Sequence, residues 1–207
     1  MSTIFRPPRI IDFGRLRLRP FTRSDAPMLF DCLLGDPDVT AWLAFRTHRS
    51  TAESETFIED TQRGWTSGHC FTWALEDSES ARIVAAIEVR PALPRAELGV
   101  ITSFQEGYRK RRAGLLALLK LIDWLMSQPN LWRLHAYCAP EGKAASTMTR
   151  LGFTLEGRLS HWEPRPNQNI AAGDALLFAI TRSPAESMPG TAARYPRLAR
   201  HDLVVRE

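Results

Sequence analysis

The residues best suited to chemistry lie close together: Glu97-Leu98-Gly99-Val100-Ile101-Thr102-Ser103, then Tyr108-Arg109-Lys110-Arg111-Arg112-Ala113-Gly114, then an almost wholly apolar stretch. A strand feeding a tight basic segment that opens a helix makes an anion site. The first-turn N–H groups have no intrahelical partner, and the helix dipole adds partial positive charge. Pyrophosphate is the natural guest. Four consecutive basic residues also suit a solvated turn or a nucleic-acid patch. The position of Arg109, Lys110, Arg111 and Arg112 between a strand and an apolar helix favours the anion site. Metal chemistry has no comparable sign. His48, His69, His135, His161 and His201 share no ligand spacing, and Cys32, Cys70 and Cys138 are scattered and odd in number.

Periodicity shows which elements must hold this run. Strict alternation in Arg15-Leu16-Arg17-Leu18-Arg19 predicts a strand with one buried face. Thr22 and Asp25 have capping-box spacing, so a helix is expected there, with Pro27 in its first turn. Gly35-Asp36-Pro37 breaks it, and a short helix over 39–45 follows. Ser50 and Glu53 repeat the capping spacing ahead of a helix that carries Phe57, Ile58, Thr61 and Trp65 on one face and ends near Gly68. Strands are expected over 69–75 and 82–89, the second ended by Pro91 and Pro94, with another over 97–103. A basic loop over 107–112 leads into a helix over 113–127, stopped by Pro129-Asn130. A strand over 133–139 precedes a helix over 142–151 capped by Gly152, and strands over 153–162 and 175–181 close the order. The reading is a mixed α/β (α+β) domain over 15–182, with an N-terminal extension over 1–14 and a loosely attached Arg-rich tail over 183–207.

Composition agrees with one compact domain: 207 residues, 44% hydrophobic and 24% charged. The most apolar segment, 113–126, is interrupted by Lys120 and Asp123 and is too short to span a bilayer. The first ten residues lack the apolar core of a secretory signal. With unpaired cysteines, these features predict a cytoplasmic protein. A net charge of +4 is only mildly basic, and arginine supplies nearly all of it. No aromatic–basic interleaving on a strand platform and no recognition helix accompanies the basic cluster, which disfavours nucleic acid as partner.

Read together, RLRLRPFTRSDA, AELGVITSF, LLALLKLIDWLM, WRLHAYCAPEGKAASTMTRLGFTLEGRL and SHWEPRPNQNIAAGDALLFAI resemble, in this order, the GNAT superfamily of acetyl-CoA-dependent N-acetyltransferases. The likeness is strongest to the RimJ/RimL-type branch and covers about 15–181. It implies a GNAT-like single domain with a central, mixed, mostly antiparallel sheet flanked by helices. It also implies acetyl-CoA as co-substrate, no metal, and direct transfer to a primary amine, either a protein N-terminus or a small molecule, by a monomer or homodimer.

The resemblance assigns roles to residues. Backbone N–H groups of Ile101, Thr102 and Ser103 would polarise the thioester carbonyl, and Arg109, Lys110, Arg111, Arg112, Ala113 and Gly114 would hold the pyrophosphate. The family loop reads Q/R-x-x-G-x-G/A; here Arg112 stands at the first glycine and Lys110 where this branch usually has another. Side-chain charge would replace close backbone approach. The branch's N-x-x-S is also absent: Pro140-Glu141-Gly142-Lys143-Ala144-Ala145-Ser146 lacks the asparagine and appears one residue short. Tyr137 and Ser146 are the remaining candidates to protonate the departing thiolate. Glu97 is the first candidate to deprotonate the amine through a water, Glu88 the second. A domain that binds acyl-CoA or a protein partner without turnover is the competing expectation.

Overall fold

The computed structural model describes residues 5–104, 108–182 and 204–206, with 108–111 and 204–206 described by backbone alone. Among these residues one nine-stranded sheet organises the chain. Its strands are β1 (Ile10–Phe13), β2 (Leu16–Pro20), β3 (Phe71–Asp77), β4 (Arg82–Ala92), β5 (Arg95–Thr102), β6 (Arg133–Cys138), β7 (Thr154–Arg165), β8 (Ile170–Thr181) and β9 (Val204–Arg206). They lie in the order β7-β8-β6-β5-β4-β3-β2-β1-β9. Only β5 and β6 pair in parallel; the other neighbours are antiparallel. The helices are α1 (Ala26–Leu29), α2 (Pro37–Thr40), α3 (Thr51–Ser67), α4 (Tyr108–Ser127) and α5 (Ala144–Arg150). The expected mixed, mostly antiparallel sheet flanked by helices is what forms. No described helix is long and apolar enough to cross a membrane.

Each face of the sheet buries its own cluster. Leu121, Ile122 and Leu125 of α4, with Met148 of α5, meet Leu98, Leu134 and Ala136 on one side. Leu29 of α1 and Ile58 of α3 meet Ala74 and Ala86 on the other. The alternation read from 15–19 is the cause of this at β2, where Leu16 and Leu18 are buried and the intervening arginine is not. The capping residue behaves as its spacing predicts: Asp25 Oδ2 accepts the Thr22 N–H at 2.7 Å. The helix it opens is irregular, a 3-10 turn over Arg23–Asp25, then α1, then a π turn over Phe30–Leu34. Gly152 ends α5 with φ of 87°, a conformation side chains resist.

Several boundaries differ from the sequence reading; β7 runs three residues past the expected 162 and β8 starts five before the expected 175, and four further differences bear on the architecture. The sheet begins inside the expected extension, because Ile10–Phe13 pairs with β2. Its run of apolar residues has no alternation to reveal it. The short helix expected over 39–45 is confined to Pro37–Thr40. Pro91 does not end β4, which runs on to Ala92 with Pro91 opposite Ala96. The neighbouring β3 starts at Phe71, opposite Val89, so the N–H that Pro91 lacks would face no partner strand. The basic segment is not a loop before the helix: α4 already includes Tyr108, so Arg109 to Arg112 form its first turns. Gly107 lies outside the described residues, as does most of the tail; Val204–Arg206 pairs with β1.

Candidate active site

The parallel junction decides the site. β5 and β6 pair at Arg95/Arg133, Ala96/Leu134 and Glu97/His135, and there the pairing stops. β5 continues to Thr102 beside β4, and β6 to Cys138 beside β8. The two central strands therefore part just beyond Glu97 and His135, which leaves a cleft with backbone on both walls. The Ser103 N–H donates to the Val84 carbonyl at 3.0 Å. By two-residue alternation, Ile101 also turns its N–H toward β4, whereas Val100 and Thr102 turn theirs to the cleft. Of the three backbone donors expected there, Thr102 is the one aimed into the opening. α4 starts after β5 with residues 103–107 between them. Arg112 is exposed and Ala113 and Gly114 are half-buried on that first stretch of helix; the side chains of Arg109, Lys110 and Arg111 are not among the described ones.

On the face opposite α4, polar residues line the cleft. Glu88 stands opposite Gly99, and Arg90 opposite Glu97. The Arg90 guanidinium donates to Glu97 Oε1 at 2.8 Å and also ion-pairs with Glu88. Thr72 Oγ1 donates to Glu88 Oε2 at 3.2 Å. Burial, helped by the charge of Glu88, pushes the neighbouring Cys70 thiol up to about 11, so it is protonated at neutral pH. His135 is buried, and its Nδ1 has no hydrogen-bond partner among the described residues. Burial holds its imidazole below the ordinary range despite the nearby Glu97 carboxylate. Tyr137, edge-on to His135 with centroids 5.4 Å apart, is half-buried; burial and Glu97 raise its phenol. Glu97 on β5 and Tyr137 on β6 thus lie on opposite walls, on the same face of the sheet. Ser146 is on α5, with its side chain exposed.

Several site residues carried no usable signal in the sequence. Arg90 falls one position past the strand expected over 82–89, and nothing local marks it. Arg165 is 2% exposed, ion-paired to Glu163 at 2.6 Å, and leaves its Nε without a partner. Gly173 makes room for it, since a Cβ there would lie 3.1 Å from Arg165 Cγ. The tip of the β7–β8 hairpin then docks on the loop after α2. Asn167 Nδ2 donates to the Thr40 and Phe45 carbonyls at 2.8 and 2.9 Å, and its Oδ1 accepts the Thr47 N–H at 3.0 Å. The Pro-Arg-Pro-Asn-Gln-Asn composition of that tip was the available turn signal.

Comparisons with known proteins agree with this architecture. Ribosomal-protein-S5-alanine acetyltransferase from Vibrio fischeri superposes with a TM-score of 0.67 at 19% identity, covering 84% of this chain and 97% of its own. The ribosomal L7/L12 alpha-N-protein acetyltransferase RimL gives 0.71 at 17% identity, covering 84% and 95%. The microcin C7 self-immunity acetyltransferase MccE, solved with acetyl-CoA and AMP, gives 0.70 at 18% identity, covering 82% and 93%. At such identities the likeness speaks for the fold. No curated protein matches the sequence significantly. The family model described as an acetyltransferase (GNAT) domain matches residues 15–154, more than half of the chain. This chain belongs to the GNAT acetyltransferase family.

Proposed function

We propose that the protein is an acetyl-CoA-dependent N-acetyltransferase that moves an acetyl group directly to a primary amine. The observation that carries this reading is the parting of β5 and β6 just beyond Glu97/His135. A pantetheine arm can lie along the opened β5 edge, where the Thr102 N–H would donate to the thioester carbonyl and stabilise the developing oxyanion. In the first turn of α4 the N–H groups of Tyr108, Arg109 and Lys110 have no intrahelical partner and would take the pyrophosphate, with Arg111 and Arg112 adding charge; Ala113 and Gly114 lie a turn further in, where their N–H groups are spent in the helix. No open loop glycine is needed for this: the donors are backbone N–H groups, and the arginines add charge.

The amine must attack as the neutral base. A free α-amino group has a pKa of about 8, so a nearby carboxylate acting through a water suffices. Glu97 is the candidate, at the mouth of the cleft and oriented by Arg90. Tyr137 is the better placed proton donor for the departing thiolate, because Ser146 is exposed on α5. Glu88, held by Thr72 and Arg90, serves the acidity of the groove.

The replaced loop glycines and the absent N-x-x-S support a second reading, a domain that binds acyl-CoA without turnover. Thermal shift with acetyl-CoA and CoA, followed by a free-thiol assay over peptide and small amines, separates the two. A hundredfold excess over Kd should stabilise the protein by about 2.7 kcal/mol. Thiol release with any amine establishes the enzyme; a shift without release favours the binding domain; no shift at millimolar CoA overturns both.

A further inference from the structure

The β7–β8 hairpin breaks its pairing beside the β6 wall of the cleft. Leu159 faces Ala175 and Glu163 faces Gly173, so β7 takes four steps where β8 takes two. Bulges of this kind re-aim a side chain. Within it His161 holds φ of 52°, a strained value for a residue with a side chain. Asp174 pins the strain in place. Its Oδ1 accepts the His161 N–H at 3.0 Å and its Oδ2 accepts Arg158 Nε at 2.7 Å. The residue re-aimed is Trp162, which is 48% exposed with its ring centroid 5.0 Å from that of Tyr137 at a 35° tilt. A tryptophan left half in solvent by a strained, pinned bulge is not there to fill a core. Glu97 and Glu163 are each held by an arginine, Arg90 at 2.8 Å and Arg165 at 2.6 Å. The surface on offer is therefore two aromatic faces in contact.

We propose that the Tyr137–Trp162 pair is the acceptor platform, taking an amine whose adjoining substituent is an aromatic ring or a comparably large apolar group. This rests on the N-acetyltransferase reading above. The aromatic faces attract both a ring and an ammonium group through the same quadrupole. A methyl or hydroxymethyl substituent would leave the Trp162 face uncovered. The same chemistry is met by an arylalkylamine and by a peptide that begins with a bulky residue.

Calorimetric titration of the CoA-loaded protein tests this without turnover, using 2-phenylethylamine against ethylamine and Phe-Gly-Gly against Ala-Gly-Gly. The ring-bearing member of at least one pair should bind about tenfold more tightly. A gain confined to the peptides identifies a peptide N-terminus as the source, and a gain confined to the small amines identifies a free arylalkylamine. Trp162→Ala should bring the ratio close to one. Asp174→Ala, which touches neither ring, should narrow it by releasing the bulge, and Asp174→Asn should restore it by again accepting the His161 N–H. Equal affinities within both pairs, no binding of any amine, or a ratio that survives Trp162→Ala overturns the proposal. So does a change in sedimentation from dimer to monomer on Trp162→Ala with the ratio intact, which would make the patch a contact between copies. Ring-selective binding without thiol release would overturn the enzyme and keep the platform. Thiol release without ring preference would do the reverse.

Discussion

Two arginines mark two different halves of this molecule. Arg19, half-buried on β2, commits both terminal nitrogens to carboxylates: it donates to both Asp25 oxygens at 2.7 and 2.8 Å and to Glu76 at 3.0 Å. Arg165, on β7, is more deeply buried, yet it has Glu163 and two long contacts to backbone carbonyls, and its Nε is bare. The described buried side-chain atoms without partners, His135 Nδ1 and Arg165 Nε, both lie in the β6–β8 half. A satisfied network holds a fold; polar groups left short of partners usually mark a site, where their partner arrives from outside. The satisfied network on β2 and β3 is scaffold; the unsatisfied atoms lie on β6 and β7, and Glu97 on β5 stands between the two.

The largest expected effect tests that boundary. Glu97→Gln should retain acetyl-CoA binding while lowering turnover by roughly 10²–10⁴-fold, equivalent to about 3–5 kcal/mol in the barrier. The deficit should shrink as pH rises and more of the amine is already neutral. Normal turnover across the pH range would move the base elsewhere on this face.

On the scaffold side, Arg19→Met should cost about 3 kcal/mol in denaturant unfolding, because it strands the Asp25 and Glu76 carboxylates. Burial pushes the Asp25 carboxyl up, but Arg19 and the Thr22 N–H outweigh it and leave the group below its ordinary value. A carboxyl lowered in the folded state stabilises above its unfolded pKa of about 3.9 and loses that contribution as pH falls. The wild type should therefore weaken on acidification below about pH 4, and Arg19→Met should show less of that loss. Equal acid sensitivity in both proteins would deny the network its role.

A smaller effect should follow from opening the hairpin latch. Asn167→Ala removes three hydrogen bonds at 2.8, 2.9 and 3.0 Å, but the released loop groups can bond water, so a loss of about 1–2 kcal/mol is expected. Amide exchange at Thr47 should accelerate more than exchange in β2 or β3. Uniform acceleration would mean that the latch supports the whole fold rather than one end of the groove.

The smallest effect concerns His135. Its imidazole is held below the ordinary value by burial, so the unfolded chain binds a proton first as pH falls. Stability should rise with pH across the window between that lowered value and about 6.5. His135→Gln should flatten part of this slope in melting temperature, and His48, lowered by the same cause, should supply the remainder. An unchanged slope in His135→Gln would show that the ring is not neutral for the reason given.

What could be read without the fold was local. The buried face of β2, the Thr22/Asp25 turn, the one-sided helix over Thr51–Ser67 and the αL glycine after α5 each depend on residues two to four positions apart. The motif series placed Glu97 and Tyr137 on strands around the basic segment, but no spacing preferred Tyr137 to Ser146. Arg165 was not legible, since nothing near it in the chain states that the end of β7 is buried. Trp162 was not either, because a bulge is a mismatch between two strands and neither strand contains it alone.

By itself, then, the sequence determined the kinds of elements within 15–181, their order, the family and the chemical character of the segment over 97–114. Tertiary structure alone decided where β5 and β6 part, which backbone donors face the opening, and that Ser146 is exposed while Tyr137 is half-buried. It also decided that a hairpin tip reaches a loop more than a hundred residues earlier. The physical reason is range. Helix caps and strand alternation are set by sterics and hydrogen bonds within a turn or a pleat, whereas register, strand separation and the burial of a charge depend on which distant surfaces exclude water together.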